Sequence, residues 1–141
     1  MADDTRRRLA SNPSVRISQA FTADTVSIFA ALDICVLPSF REGLPNVLLE
    51  AGAMELPVIA TRIRGCSEAV IDGETGILVP PGDPESLAGA ILDVLSDGEL
   101  GRLLGKNART FVASRFSATA VNEELLQEYL RLTSSSRDLD C

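Results

Sequence analysis

The chain has 141 residues, 45% of them hydrophobic, which is enough to build one core without metals or disulfides. Thirteen basic against twenty acidic residues leave a net charge of -7, which disfavours a nucleic-acid partner and gives little attraction to an anionic membrane. Cys35, Cys66 and Cys141 are widely separated and there is no histidine, so neither a disulfide framework nor a zinc site is expected; no stretch approaches the ~20 apolar residues of a membrane span, and a reducing cytoplasm fits best.

In chain order, Asp3 to Ala10 reads as the tail of a helix that Asn12-Pro13 ends, because the residue before proline is pushed out of helical space. Val15 to Ser18 reads as a short strand. Thr22 to Leu32 has apolar residues at helical spacing with Thr22 as cap, and Asp33 to Leu37 is a continuous apolar run suited to a strand buried on both faces, stopped by Pro38. After a turn-rich loop, Ser39 to Leu44, a helix is expected from Pro45 to Met54, then a buried strand from Pro57 to Thr61.

Arg64 to Gly76 reads as a glycine-containing connection with a short apolar piece, Glu68 to Ile71. It leads to a strand from Gly76 to Val79, closed by Pro80-Pro81-Gly82-Asp83-Pro84. Helical periodicity then covers Glu85 to Leu95 and Leu100 to Ser114, and Ser117 caps a last helix to Leu132, with 133–141 a polar, flexible tail. Alternating strands and helices imply an α/β class: a Rossmann-like parallel sheet with flanking helices. About four strands are expected where such a doubly wound sheet has about six, so residues 1–132 read as a partial domain that starts in mid-fold.

Ligands of such sheets sit beyond the carboxyl ends of the strands, where loops feed helix N-termini, and Pro38 to Asn46 is such a place. Gly43 allows close backbone approach or positive φ, and first-turn N–H groups near Asn46 and Val47 form an anion site reinforced by the helix dipole. Glu50 stands alone in an apolar helix expected to be buried on most sides, where a carboxylate needs a partner such as ribose hydroxyls. Glu42 points from the loop toward the same pocket. Taken singly, Glu42 reads as an exposed loop residue, Glu50 equally as an edge residue and Gly43 as a turn former; their combination points to a site.

The run Ser39-Phe40-Arg41-Glu42-Gly43-Leu44-Pro45-Asn46-Val47-Leu48-Leu49-Glu50-Ala51, followed by Leu56-Pro57-Val58-Ile59-Ala60-Thr61, resembles the Glu-x7-Glu signature of retaining GT-B glycosyltransferases of family 4. Arg64-Gly65-Cys66-Ser67-Glu68-Ala69-Val70, Asp72-Gly73, Gly76-Ile77-Leu78-Val79 and Asp83-Pro84 continue the likeness, which covers Val15 to Leu132. The resemblance implies the C-terminal donor-binding part of an enzyme that moves sugar from a nucleotide-diphosphate donor, UDP or GDP type, to a glycan or lipid-linked acceptor in polysaccharide biosynthesis. By it, Glu42 is the catalytic residue and touches donor-sugar hydroxyls, and Glu50 holds the ribose. The backbone of Gly43, Leu44, Pro45, Asn46 and Val47 meets sugar and diphosphate. Gly65 belongs to a loop near the nucleotide, while Arg64 and Glu68 form a local pair or cap. It implies no metal and no cofactor, and a cytoplasmic enzyme able to sit peripherally at the inner membrane.

Two departures accompany the resemblance. The family's phosphate-neutralising Arg/Lys pair and its acceptor domain would lie upstream of Met1, so a missing N-terminal domain or a partner chain is expected to complete the site, and the chain alone is expected to be inactive; Arg62 and Arg64 are poor substitutes. Glu55 stands where the pattern has glycine, and a left-handed helix cap there costs on the order of 1 kcal/mol. A non-catalytic nucleotide-binding or interaction module, self-associating through exposed sheet surface, is the alternative, and a sugar-nucleotide epimerase is a third reading.

Overall fold

The computed structural model describes residues 2–18, 22 and 24–135. Its elements are α1 (Ala2–Ala10), α2 (Thr25–Ala30), β1 (Cys35–Leu37), α3 (Asn46–Ala53), β2 (Val58–Thr61), α4 (Arg64–Ala69), β3 (Ile77–Val79), α5 (Pro84–Ser96), α6 (Gly98–Arg115) and α7 (Ala118–Ser135). The strands form one parallel three-stranded sheet in the order β1-β2-β3, with Val36 opposite Ile59 and Ile59 opposite Ile77.

Successive strand residues point to opposite faces, so each strand feeds two cores. Cys35, Val58, Ala60 and Leu78 pack with Leu48 and Ala51 of α3 and Cys66 and Ala69 of α4 on one face. Val36, Ile59, Ile77 and Val79 pack with Ala90 and Val94 of α5 and Leu104 of α6 on the other. Val58, Ile59 and Ala60 are all buried, as a central strand of a three-layer arrangement requires. The expected α/β class, a parallel sheet with flanking helices, is the one found.

Helices α3 and α6 clasp each other around Glu55. The end of α3 is a Schellman turn: the Leu56 N–H donates to the Ala51 carbonyl and the Glu55 N–H to that of Gly52, each at 3.0 Å. Glu55 takes the left-handed conformation expected at that position, with φ 60°. Its carboxylate meets Arg109 of α6 at 3.4 Å. Gly105 of α6 lies against the Glu55 carbonyl so closely that a Cβ would not fit, and Ala108 lies against Gly52.

Several expectations need correction. Val15 to Ser18 is not a strand: no ladder forms there among the described residues, and Arg16, Ile17 and Ser18 are exposed, leaving no buried face to fix a register. The sheet therefore has three described strands rather than four. The cap of α2 is Asp24, whose carboxylate accepts the Ser27 N–H at 3.1 Å, while the Thr22 hydroxyl accepts the N–H of Asp24 itself. Pro45 occupies the cap position of α3 rather than its first turn. The connection from Arg64 holds a helix, α4, where no helix was expected. Helix α7 runs to Ser135, past Leu132, and residues 136–141 of the expected tail lie outside the described residues. No helix among the described residues is long and apolar enough to cross a membrane.

Candidate functional site

The carboxyl ends of β1 and β2 open onto the loop Pro38–Pro45 and the N-termini of α3 and α4. The first N–H groups of any helix lack intrahelical acceptors, so what satisfies them shows what a helix start is for. Helices α2, α5 and α6 satisfy theirs internally with Asp24, Asp83 and Asp97, whose carboxylates each accept first-turn N–H groups. Helix α3 does not. Its cap residue, Pro45, makes no side-chain cap bond, and no acidic residue stands in its first turn. The positive end of its dipole is thus met by no carboxylate of its own cap or first turn, and the same is true of the short helix α4 beside it.

Glu50 is exposed rather than buried, which corrects the expectation of a helix covered on most sides. Leu48, Ala51 and Gly52 form the buried face of α3, and Asn46, Val47, Glu50, Ala53 and Met54 form a continuous exposed stripe at helical spacing. The apolar composition of α3 hid this polarity, because its outward face carries Val47 and Met54 as well as Glu50. Exposed Leu44 precedes α3 in the loop, while exposed Phe40 lies against Gly82 of the β3–α5 turn. The arrangement is a carboxylate in reach of solvent within an apolar rim.

Glu42 is half-buried in the loop. Burial, and then the Glu42 charge, push the Cys66 thiol up from its ordinary value, while the Thr61 hydroxyl draws it down. The carboxylate thus stands near the start of α4. Gly43 does not need its glycine for positive φ, and a Cβ there would meet nothing within 4 Å. Of the two roles open to it, close approach of another group to its backbone is the one its geometry permits.

Structure brings Glu42, Gly43, Leu44, Pro45, Asn46 and Val47 into one continuous loop-to-helix segment and puts Glu50 one turn farther along the same exposed helix face. Pro45 has no N–H to offer, so donors in that stretch come from its neighbours. Arg62 and Arg64 do not aim at the site. Arg62 binds Asp72 at 2.5 Å and the Leu78 carbonyl at 2.8 Å. Arg64 pairs with Glu68 at 3.2 Å, the local pair expected of them. Partial burial pushes the Asp72 carboxyl up, but the Arg62 hydrogen bond, the Leu78 N–H and the Arg62 charge together hold it below its usual range.

Thr61, which sequence reasoning gave no role, and Gly65, expected in a loop near the nucleotide but found buried inside α4, shape the loop. Thr61, at the end of β2, is buried and donates its hydroxyl hydrogen to the Ser39 carbonyl. Gly65 of α4 lies flush under the loop: a Cβ there would stand 2.7 Å from the Glu42 carbonyl oxygen and closer still to that of Gly43. A buried hydroxyl ending the apolar run Val58–Ala60 was the available signal for Thr61. Nothing in the sequence alone set Gly65 beneath Glu42.

Comparison with known proteins gives these features a context. The model of the family described as glycosyl transferases group 1 matches residues 2–97. The capsular polysaccharide biosynthesis glycosyltransferase CapM of Staphylococcus aureus is 36% identical over 121 residues, 86% of this chain and 32% of that protein. Among solved structures, sucrose-phosphate synthase from Thermosynechococcus elongatus superposes with a TM-score of 0.83 at 32% identity, covering 95% of this chain and 34% of that one. HepE of Anabaena, in complex with UDP-glucose, gives a TM-score of 0.82 at 26% identity over 92% of this chain and 36% of its own. The chain spans about a third of the length of these relatives. With the family model covering most of its length, the chain belongs to the glycosyl transferases group 1 family.

Proposed function

We propose that the chain is the donor-binding part of a retaining, metal-independent glycosyltransferase of family 4, acting in the cytoplasm on a glycan or lipid-linked acceptor. The observation that carries the reading is the start of α3, which has no carboxylate cap and is flanked by half-buried Glu42 and exposed Glu50. A nucleotide-diphosphate sugar matches that pattern end to end. Its diphosphate meets the free N–H groups and the positive dipole end, its ribose hydroxyls donate to Glu50, and its sugar hydroxyls donate to Glu42. HepE, which is similar in sequence and fold, is a protein crystallised with UDP and with UDP-glucose, and this supports a uridine donor.

In such a reaction the protein lowers the barrier by stabilising charge as it develops on the departing diphosphate. Here the α3 amides supply part of that stabilisation, and a positively charged pair from an N-terminal domain or a partner chain supplies the rest. Donor recognition without the acceptor site makes the chain alone a binder that turns over no sugar. Calorimetric titration of UDP, GDP and ADP into the wild type and Glu50→Ala tests the reading. Binding of a nucleoside diphosphate that weakens by about tenfold or more in Glu50→Ala is expected from loss of a charged hydrogen bond. Equal binding by both proteins would remove Glu50 from the ribose role.

A further inference from the structure

We infer that the segment from the end of β2 to the start of α4 is the positioning element of the donor loop, with Thr61 and Gly65 fixing where Glu42 stands. The inference rests on the donor reading of the loop, but the geometry behind it is independent of any ligand. Thr61 is 4% exposed and follows Val58, Ile59 and Ala60, all buried and apolar. Burying a hydroxyl in such a place is costly unless it is hydrogen-bonded, and a valine would suit the core better. Its Oγ1 donates across the sheet edge to the carbonyl of Ser39. The Ser39 hydroxyl in turn donates to the Arg41 carbonyl at 3.2 Å and accepts the Arg41 N–H at 3.4 Å. One chain of bonds therefore runs from β2 to the residue preceding Glu42.

Gly65 closes the loop from below. Its missing side chain lets α4 sit directly on the Glu42 and Gly43 carbonyls, so the loop cannot sink and α4 cannot rotate a larger residue into that place. Cys66, fully buried and next to Gly65 in α4, anchors that helix in the core beneath the loop. A catalytic carboxylate on a loop is effective only when its backbone is held by a supporting shell. Thr61 and Gly65 touch no substrate in this account; they act through Ser39 and through the Glu42–Gly43 peptide.

The test compares wild type, Thr61→Val and Thr61→Ser by backbone amide relaxation across Arg41–Leu44 and by titration with UDP and UDP-glucose. Thr61→Val keeps the volume and removes the hydroxyl, while Thr61→Ser keeps the hydroxyl and is the rescue. Expected are higher amplitude motion of Arg41–Leu44 in Thr61→Val only, and an advantage of UDP-glucose over UDP that falls by roughly fivefold to tenfold in Thr61→Val and is restored in Thr61→Ser. Loop relaxation that is the same in Thr61→Val as in the wild type would overturn the inference, as would equal disturbance in both variants. If the wild type binds neither nucleotide, the donor reading falls, and the relaxation data still decide whether Thr61 holds the loop.

Discussion

Two strand-to-helix crossings at the same carboxyl end of the sheet follow one plan and end in opposite chemistry. After β1 the chain passes Pro38 and reaches α3 at Pro45; after β3 it passes Pro80 and reaches α5 at Asp83 and Pro84. Asp83 closes the second crossing on itself: its carboxylate accepts the N–H of Glu85 at 3.1 Å, the N–H of Ser86 at 3.0 Å and the Ser86 hydroxyl at 2.6 Å. Those bonds, the hydroxyl first, hold the Asp83 carboxyl below its usual range. A cavity of about 180 Å3 lies between the two crossings, lined by Pro38 and Phe40 of the first, Thr61 at the end of β2, and Asp83 and Leu87 of the second. The first crossing has no such carboxylate. A helix start whose donors are satisfied internally is a structural joint; in the proposed reading, the open start of α3 beside two carboxylates receives an anion with hydroxyls attached.

The largest expected effect separates the two glycines of the open crossing. Gly65→Ala drives a Cβ into backbone that cannot move away cheaply, and should cost roughly 3 kcal/mol of stability in urea unfolding. Gly43→Ala, with open space around it and no positive φ, should change stability by less than about 0.5 kcal/mol. Similar losses in both would mean that the packing of α4 under the loop is not what the geometry says. Next, Pro45→Asp would make α3 resemble α5 by giving it a carboxylate cap. Nucleoside diphosphate affinity should drop by about tenfold or more in calorimetric titration. Retained affinity would deny the α3 amides their role.

Smaller effects lie at the supports. Asp72→Ala breaks the bonds to Arg62 and to the Leu78 N–H, and because both side chains are partly solvated it should cost only about 1 kcal/mol near neutral pH. The folded state holds the Asp72 carboxyl below its unfolded value. Its contribution is therefore present above the ordinary carboxylate range and disappears as the pH falls through the lower folded value. The stability gap between wild type and Asp72→Ala should accordingly shrink in acid, and a gap that widens there would contradict the assignment. Glu55→Gly relieves the left-handed strain while losing the Arg109 pair, for a net gain of about 0.5 kcal/mol in thermal unfolding.

Much of this was legible in the sequence where burial leaves a simple pattern. The apolar runs ending at Leu37, Thr61 and Val79 are strands because parallel strands are covered on both faces, and the left-handed cap at Glu55 was suggested by the glycine that the family pattern has there. The pattern failed where tertiary contact decides. Val15 and Ile17 alternate with polar residues as a strand would, yet no ladder forms there among the described residues. Helix α4 is a single short element containing Gly65 and Ser67, too short to show a period, and it is defined by packing on the donor loop. Glu50 was identified as a candidate, but its exposure was hidden because Val47 and Met54 on the same face are apolar. The contact of Gly65 with Glu42 and Gly43 is long-range, and no local pattern records it.

The account turns on which helix start receives the nucleotide. An amide chemical-shift titration of the wild-type chain with UDP compares both crossings in one experiment. It should shift Gly43, Leu44, Asn46 and Val47 most strongly, reach Glu50, and leave Glu85 and Ser86 unmoved. Shifts centred on Glu85 to Leu87, or none at the start of α3, would contradict it.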